Sequence, residues 1–429
     1  MVAFVASNDS DVATENAGQV EVLTISLVEV VIIVSSVVVI VVALMLVVAA
    51  LVFRWRRPCR CRCRRRPRGS QRRDAADVNI DLLPTNHEYR QLTSAPKTTT
   101  NLVGPGAPLE RFELDDRRNE IVYVADIALC AGGKVFKAML PRRQNGAVQD
   151  TVVVKMLRED ADTNVQRQFL SAASTLAELS HPNVVRLLGV CVRHFPLCVI
   201  LEYLNAGDLS EYLRHCDPHY RADGRRGRLL CAAERVDIAS QMAGAMAYVS
   251  SRGFVHRDVA ARNFLVYESQ SSTASPSLTE TSVKLSDFML ALKFTSPDGV
   301  CRADPDEALP VRWLAPESLA DGRFSTASDV WAFGVAFWEV FAHGRQPYAG
   351  ESNSEVERRI GAGESLPQPV DAPEEAYALM RRCWQRRPDR RPSFDCLLSS
   401  LFSLRGQLNR RPSVRVAPWT VDDERSRPA

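Results

Sequence analysis

The sequence predicts a two-lobed α+β domain, with a small strand-rich part followed by a larger helical part, placed behind one transmembrane helix. Residues 30–53 contain no charged side chain, and residues 121–157 contain apolar stretches that alternate as antiparallel strands do. Beyond residue 231, apolar positions recur at helical spacing. With 429 residues and an apolar fraction of 46%, the chain can bury a substantial core, which excludes wholesale disorder.

The charge of the chain is concentrated in one block. Eleven arginines and no acidic residue lie between Arg54 and Arg73, although the net charge of the whole chain is only +3. The remainder is therefore acidic, which argues against a protein that binds nucleic acid over its whole surface. All 11 cysteines lie at or after Cys59, so a disulfide-stapled secreted domain is not expected and most thiols should be reduced.

The first predicted element is a transmembrane helix at residues 30–53. Its 24 residues reach about 36 Å as a helix, enough for a hydrocarbon core of roughly 30 Å. A signal peptide, the competing interpretation, has a shorter apolar core that follows positive charge. Here residues 1–29 carry only acidic charges and arginines follow, so the N-terminus is expected outside and the rest in the cytoplasm. The outer segment is too short to fold alone, which leaves open a genuine short ectodomain or a truncated gene model.

A basic juxtamembrane region and linker is predicted at residues 54–117. Its arginine-rich start is typical of a stop-transfer signal and also predicts contact with anionic lipid, worth about 1 kcal/mol per basic residue near the surface. Cys59, Cys61 and Cys63 lie where reversible palmitoylation occurs. Metal binding by these thiols is the less favoured alternative, because the neighbouring arginines repel a cation.

A globular cytoplasmic domain is predicted at residues 118–404, followed by a C-terminal tail at 405–429. Its first strands are expected in IVYVADIAL, KVFKAML and TVVVKML. A helix is expected in AAERVDIASQMAGAMAYVSS, with Gly253 as its stop. DVWAFGVAFWEVF is apolar almost all round, as in a buried core helix, and it is too short for a second membrane span and contains Glu339.

The polar residues of this domain occur in an order that suits phosphoryl transfer from ATP. HRDVAARN places Asp258 and Asn263 five residues apart on a loop after the long helix. Asp287 follows an apolar strand in LSDF, and Lys155 ends the strand-like VVVK. The reaction needs a carboxylate beside the acceptor hydroxyl, oxygen ligands for Mg²⁺ and a cation at the phosphates. A lone lysine or aspartate is usually a solvated surface residue, but this ordered set is hard to reach by chance.

Residues 118–404 resemble the catalytic domain of receptor tyrosine kinases. HRDVAARN carries the Ala-Ala-Arg insert typical of the tyrosine-specific branch. PVRWLAPESL, residues 310–319, is similar to the substrate-docking segment of that branch, and SDVWAFGV resembles the helix whose aspartate, here Asp329, anchors the catalytic loop. The same resemblance pairs Arg391 with Glu317. PLCVILEYLNAGDL and TASDVWAFGV look most like the discoidin-domain receptors.

The resemblance implies a bilobal protein-kinase fold that binds ATP and Mg²⁺ between its lobes. Asp258 then orients the tyrosine hydroxyl, Arg262 assists charge balance near the acceptor, and Lys155 contacts phosphate. Asn263 and Asp287 are the implied metal ligands. The further implied ATP contacts are Val135, Gly133, Glu202 and Leu204 of the hinge, with Leu201 behind it, and Leu265 under the base. Protein tyrosine substrates, a kinase partner through dimerisation and a plasma-membrane location are also implied.

Four departures from the family pattern bear on activity. The glycine-rich loop reads ALCAGG, so Ala128 and Cys130 replace two glycines that let backbone approach phosphate closely. Ala172 stands where the family carries a helix glutamate that pairs with the strand lysine. Met289 replaces the glycine of Asp-Phe-Gly, and Val153 adds bulk against the adenine.

The activation segment, residues 287–317, contains no tyrosine, so activation by phosphorylation of such a residue has no acceptor. Asp304, Asp306 and Glu307 are candidates for a fixed negative charge beside Arg257. A run of acidic side chains is more often simply solvated, and an exposed acidic loop is the preferred interpretation.

These departures leave two functions open. Glu178 is not expected to replace the missing glutamate, because it points about 240° around the helix from Ala172. Lys155 is therefore expected to be poorly aimed. Since the catalytic aspartates and asparagine are all retained, a weak membrane-anchored tyrosine kinase is preferred. The alternative is a pseudokinase that serves as a scaffold or allosteric partner of active kinases.

Overall fold

The structure is a computed structural model that describes residues 108–130, 132–142, 145–218, 228–269, 280–294, 298–303 and 307–410. The predicted transmembrane helix, the arginine-rich stretch and most of the C-terminal tail lie outside these residues. Within the ranges described, no helix combines the length and the apolar character needed to cross a bilayer. The described residues from 108 onwards form the two predicted lobes.

The N-terminal lobe is built on a five-stranded antiparallel sheet and one helix, α1. The strands are β1 (Val122–Cys130), β2 (Gly133–Arg142), β3 (Asn145–Leu157), β4 (Leu187–Cys191) and β5 (Cys198–Glu202), in the order β1-β2-β3-β5-β4, and α1 spans Thr163–Glu178. The strands expected from alternating runs are confirmed. Lys155 lies within β3, which ends at Leu157 as TVVVKML predicts but begins at Asn145, earlier than that run.

The two faces of this sheet have different neighbours. Phe136, Val154 and Ile200 belong to a small apolar core on one face. Neighbouring residues along a strand point to opposite faces, so Val135 and Lys155 point away from that core. Val135 and Lys155 are also cross-strand partners. Two of the residues expected to contact ATP therefore lie side by side on the other face of the sheet.

The C-terminal lobe is mainly helical, with three short strand pairs. Its helices are α2 (Leu209–His215), α3 (Ala232–Ser251), α4 (Pro316–Asp321), α5 (Thr326–Phe341), α6 (Asn353–Gly361), α7 (Glu374–Cys383) and α8 (Phe394–Arg410). The antiparallel strand pairs are β6 (Phe254–Val255) with β9 (Leu292–Lys293), β7 (Phe264–Ser269) with β8 (Glu280–Leu285), and β10 (Cys301–Arg302) with β11 (Arg323–Phe324).

Helix α5 is the buried centre of this lobe, as the sequence predicts. Phe333, Phe337 and Phe341 are each no more than 1% exposed. A Cβ atom at Gly334 would lie 2.8 Å from the indole nitrogen of Trp384, so the close packing of α5 requires glycine there. The helix predicted before Gly253 is also confirmed: α3 ends at Ser251, and Gly253 has φ +81°.

A buried ion pair fixes the segment before α5. The guanidinium of Arg391 is fully buried and donates to both carboxylate oxygens of Glu317, at 2.6 and 2.8 Å. It also lies over the ring of Trp331, at 5.1 Å from the ring centre. The pairing that the family resemblance implies is therefore confirmed, and it attaches the docking segment to the helical core.

Candidate active site

The catalytic loop, residues 256–263, is held by a buried carboxylate on α5. Asp329 accepts hydrogen bonds from the backbone N–H groups of His256 at 2.7 Å and Arg257 at 2.9 Å. Arg257 has φ 70°, a left-handed conformation that side-chain-bearing residues seldom adopt, so the loop needs such an anchor. The anchoring role expected of Asp329 is confirmed.

Burial gives this anchor a pH signature. Desolvation raises the pKa of Asp329 to about 7, although the two backbone N–H donors act in the opposite direction. A carboxyl with a higher pKa in the folded chain contributes its full stability below pH of about 4 and loses it as pH rises through about 7. We expect the free energy of unfolding of the wild-type chain, relative to Asp329→Asn, to fall between pH 5 and pH 8 in urea titrations. A constant or rising difference would contradict the raised pKa.

Asp258, Asn263 and Arg262 lie together on the catalytic loop. Arg262 forms an ion pair with the Asp258 carboxylate, and the Asn263 side-chain nitrogen donates to the Asp258 backbone oxygen at 2.7 Å. Because the side-chain nitrogen of Asn263 makes this hydrogen bond, its side-chain oxygen is the atom that can ligate a hard cation. The Asp258 side chain remains 19% exposed, so a substrate hydroxyl can reach it.

Asp287 brings the two lobes together at this loop. It has a left-handed conformation, φ 57°, and its carboxylate lies 3.7 Å from the Nζ atom of Lys155 on β3. The preceding residue, Ser286, donates from its backbone N–H to the Asn263 backbone oxygen at 2.8 Å. The structure thus brings Lys155, Asp287 and Asn263 to one junction. The Asn263 side chain is in turn hydrogen-bonded to the Asp258 backbone.

The residues after Asp287 are packed into the core. Phe288 is 1% exposed and lies edge-on to His256, with 4.9 Å between ring centres. Met289, in the place of the family glycine, packs half-buried against the main core, and its backbone N–H lies 3.4 Å from the Asp287 carboxylate. Packing therefore accommodates the methionine in this arrangement.

Ala172 occupies the position from which α1 faces Lys155. It is 7% exposed and lines the same small cavity as Lys155 and Asp287. The acidic residue further along α1, Glu178, pairs with Lys293 of β9 at 2.6 Å, which confirms that it does not replace the missing glutamate. Lys155 pairs instead with Asp287, the candidate metal ligand.

Gly133 is required by the packing of the sheet. A Cβ atom there would collide with the Met156 backbone oxygen of β3. Gly132, with φ +73°, forms the tight turn between β1 and β2. The one glycine that matches the family loop is therefore fixed by its neighbouring strand, and its contact with ATP stays a prediction.

The residues expected around the adenine lie where β5 passes into the C-terminal lobe. Glu202 ends β5; its carboxylate binds Lys284 of β8 at 2.8 Å, and its backbone N–H donates to the Arg186 backbone oxygen at 3.1 Å. Leu204 is buried and Leu265 on β7 is half-buried. Sequence reasoning misses Lys284, because it alternates with buried β8 residues as an ordinary solvated lysine does.

A fixed negative charge ties the activation segment to the catalytic loop. Glu307 forms an ion pair with the Arg257 guanidinium, and the two side chains are 11% and 2% exposed. The interpretation of the acidic run as a solvated loop is therefore wrong for Glu307, because this side chain is largely buried against its partner. Asp304 and Asp306 lie outside the described residues.

Glu307→Gln is expected to make the activation segment less rigid and to lower the rate of peptide phosphorylation. The change leaves the buried Arg257 guanidinium without its anionic partner, which is unfavourable, and a fall in peptide phosphorylation of about 10-fold, equivalent to about 1.4 kcal/mol, is expected. Amide hydrogen exchange of residues 298–303 should rise in the same variant. Glu280→Gln, at an exposed position of β8, is the control. Equal rates and equal exchange in the two variants would refute the role of this ion pair.

A strand-rich lobe above a helical lobe, with a lysine, two aspartates and an asparagine at the junction, is the arrangement of an ATP-dependent phosphotransferase. Residues 121–401 match the family model for "Protein tyrosine and serine/threonine kinase". The chain belongs to this kinase family. Members of the family generally use ATP with a divalent cation.

The chain is similar to several tyrosine kinases, including receptors. It is 36% identical over 286 residues to the tyrosine-protein kinase transmembrane receptor Ror of Drosophila melanogaster, and 38% identical over 290 residues to the BDNF/NT-3 growth factors receptor of Gallus gallus. Each alignment covers 67% of this chain, but only 38% of the fly protein and 34% of the chicken protein. Identity to the tyrosine-protein kinase transforming protein ros of UR2 avian sarcoma virus is 35% over 329 residues, 76% of this chain and 74% of that protein. The resemblance to receptor tyrosine kinases is confirmed, and the finer one to discoidin-domain receptors stays a prediction.

Proposed function

We propose that this chain is a single-pass membrane protein tyrosine kinase with a low intrinsic rate. The proposal depends on one observation, the junction where Lys155 and Asp287 lie 3.7 Å apart beside a catalytic loop that carries Asp258 and Asn263. These groups supply the amine, the carboxylates and the amide oxygen that phosphoryl transfer needs. ATP with magnesium supplies the phosphoryl group.

Each side chain has one role in the proposed reaction. Lys155 holds the α- and β-phosphates, and Asn263 and Asp287 ligate magnesium. Asp258 takes the proton of the tyrosine hydroxyl while the hydroxyl oxygen bonds to the γ-phosphorus and the bond to the leaving ADP oxygen breaks. Arg262, paired with Asp258, balances charge beside the acceptor.

The low rate follows from the absence of a carboxylate at Ala172. Lys155 pairs with Asp287 instead, so the lysine and the metal ligand must separate when ATP and magnesium bind. A misplacement of about 1 Å at a catalytic site costs on the order of 100-fold in rate. Ala128 and Cys130 in place of glycine weaken the closure over phosphate further.

Protein tyrosine is the proposed acceptor and the plasma membrane the proposed location. The Ala-Ala-Arg insert of the catalytic loop and the similarity to proteins named as tyrosine-protein kinases support the first. The uncharged run at 30–53, the arginines that follow it and the names of receptor relatives support the second. In this proposal the basic stretch contacts anionic lipid, and dimerisation brings in a kinase partner.

A pseudokinase is the second candidate function. The alanine at position 172 and the two missing loop glycines favour it, because they remove parts that aim the lysine and cover the phosphates. In that case α1 and the substrate groove would bind protein partners and perform no chemistry.

One assay on the full chain, purified in detergent, separates these functions. Magnesium-dependent transfer from ATP to a tyrosine peptide, with none to the matching phenylalanine peptide, would support the kinase. A rise in melting temperature with Mg-ATP but no transfer would support the pseudokinase. Neither transfer nor a thermal shift would overturn the kinase proposal and remove nucleotide from the function.

A further inference from the structure

Glu339 connects two segments of the candidate active site. It is the one acidic residue among residues 330–341 of α5 and is 3% exposed. Its Oε2 atom accepts two hydrogen bonds of 2.9 Å, one from the Ala261 backbone N–H and one from the Trp313 Nε1–H. Ala261 belongs to the catalytic loop and Trp313 to the docking segment at 310–319. A single carboxylate oxygen therefore joins the loop that carries the catalytic aspartate to the segment expected to hold the substrate.

A second contact extends this connection to the catalytic carboxylate. The guanidinium of Arg262 lies 4.2 Å from the centre of the Trp313 ring, within the range of a cation–π interaction. The same guanidinium forms the ion pair with Asp258. The contacts therefore run from Glu339 through Trp313 and Arg262 to Asp258.

We infer that Glu339 is a positioning residue, which orients the Asp258 carboxylate towards the acceptor by holding Ala261 and Trp313 together. It acts through these neighbours, since its carboxylate is buried beneath them. The inference rests on the proposed kinase function, because the orientation of Asp258 matters only for transfer to a hydroxyl. It adds a residue that the family resemblance did not assign.

The cost of burying this acid supports a role for its hydrogen bonds. Desolvation raises the pKa of Glu339 to about 7, although both donors act to lower it. An apolar side chain at this position would avoid that penalty.

The need of the buried Trp313 indole N–H for a hydrogen-bond acceptor does not by itself explain why position 339 is a glutamate. Among the side chains that the structure describes, the buried Nε1 atoms of Trp331 and Trp384 have no hydrogen-bond partner. The domain therefore tolerates a buried indole N–H without an acceptor. The indole of Trp313, by contrast, lies between Glu339 and Arg262, the arginine that pairs with Asp258.

The test compares Trp313→Phe with Trp338→Phe in the full chain. Both changes remove one hydrogen bond donated by an indole N–H and keep an aromatic ring. The indole of Trp338, however, donates to the Pro367 backbone oxygen, which is not part of the catalytic loop. We expect Trp313→Phe to lower kcat for a tyrosine peptide about 10-fold with the KM for ATP unchanged. Trp338→Phe should leave kcat unchanged.

Conservative and disruptive changes at Glu339 itself provide the second comparison. Glu339→Gln keeps an acceptor oxygen and is expected to retain most of the activity that Glu339→Leu loses. If Glu339→Leu does not fold, the two tryptophan variants decide the question alone.

Amide hydrogen exchange of residues 256–263 gives a readout that needs no turnover. We expect faster exchange there in Trp313→Phe and not in Trp338→Phe. If the wild-type chain transfers no phosphate but this difference in exchange is seen, the kinase proposal fails and the connection from Glu339 to the loop stands. Unchanged exchange together with unchanged kcat in Trp313→Phe would overturn the inference, as would a fall in melting temperature alone.

Discussion

Asp258→Asn is expected to slow phosphate transfer to a tyrosine peptide by about 10²- to 10⁴-fold. Asparagine keeps the size of the side chain, but its amide cannot take up the hydroxyl proton, and it loses the ion pair with Arg262. Binding of ATP depends on Lys155 and Asp287 in the proposed mechanism, so the rise in melting temperature with Mg-ATP should persist. Initial rates at saturating ATP, followed by mass spectrometry of the peptide, measure the effect.

Asp237→Asn is the matched control for this experiment. Asp237 lies on α3 and forms its ion pair with Arg405 of α8, so the change removes an aspartate that is not part of the candidate site. Its rate should equal that of the wild-type chain. If Asp258→Asn were as fast as Asp237→Asn, Asp258 would not be the proton acceptor and the proposed mechanism would be wrong.

Ala172→Glu is expected to raise the rate of the same reaction by about 10- to 100-fold. The new carboxylate would extend from α1 into the cavity that Ala172 shares with Lys155 and Asp287. There it can replace Asp287 as the partner of the lysine, which frees Asp287 for magnesium. The rate with tyrosine peptide and the KM for ATP measure the effect, and the KM for ATP should fall.

Ala172→Gln separates charge from size in this test. Glutamine fills the same space but gives Lys155 no anionic partner, so it should leave the rate near that of the wild-type chain. Equal gains from glutamate and glutamine would mean that filling the cavity matters and the aim of Lys155 does not. No gain from glutamate in an active chain would show that the missing carboxylate is not the limiting defect.

Much of the fold and the order of the candidate site can be predicted from the sequence, because both depend on local patterns. Alternation predicts β1 to β3, and an apolar run bounded by polar residues predicts α5. The spacing within HRDVAARN places Asp258 and Asn263 on one loop, and the structure brings Asp287 to the same junction. The early part of β3, from Asn145 onwards, is not predicted, because it depends on pairing with β2, which the pattern of one strand does not show.

The misinterpreted residues are those whose partners lie far away in the sequence. Glu307 looked like part of a solvated run, and its partner Arg257 is 50 positions earlier. From the sequence alone, Glu339 argues only against a membrane span. An acid inside an apolar helix does signal a buried partner. Nothing in the local sequence, however, identifies Ala261 and Trp313 as the donors, since they lie 78 and 26 positions away.

Gly133 shows a different limit of motif reasoning. The residue matches the family loop, and the resemblance explains it by close approach of backbone to phosphate. The structure gives a sufficient reason without any ligand, because a side chain there would collide with β3. A matching glycine is therefore weak support for nucleotide binding, and the support comes from Lys155 and Asp287.

The ion pair between Lys155 and Asp287 also bears on the order in which ligands enter the cleft. In the proposed site, phosphate takes up the amine and the cation takes up the carboxylate, so each ligand displaces one half of the same pair. Whichever binds first leaves the other half without its counter-charge and ready for the second ligand, and by linkage each then raises the affinity for the other. Nucleotide and metal should therefore bind cooperatively, so that the cleft is occupied mainly when both are present.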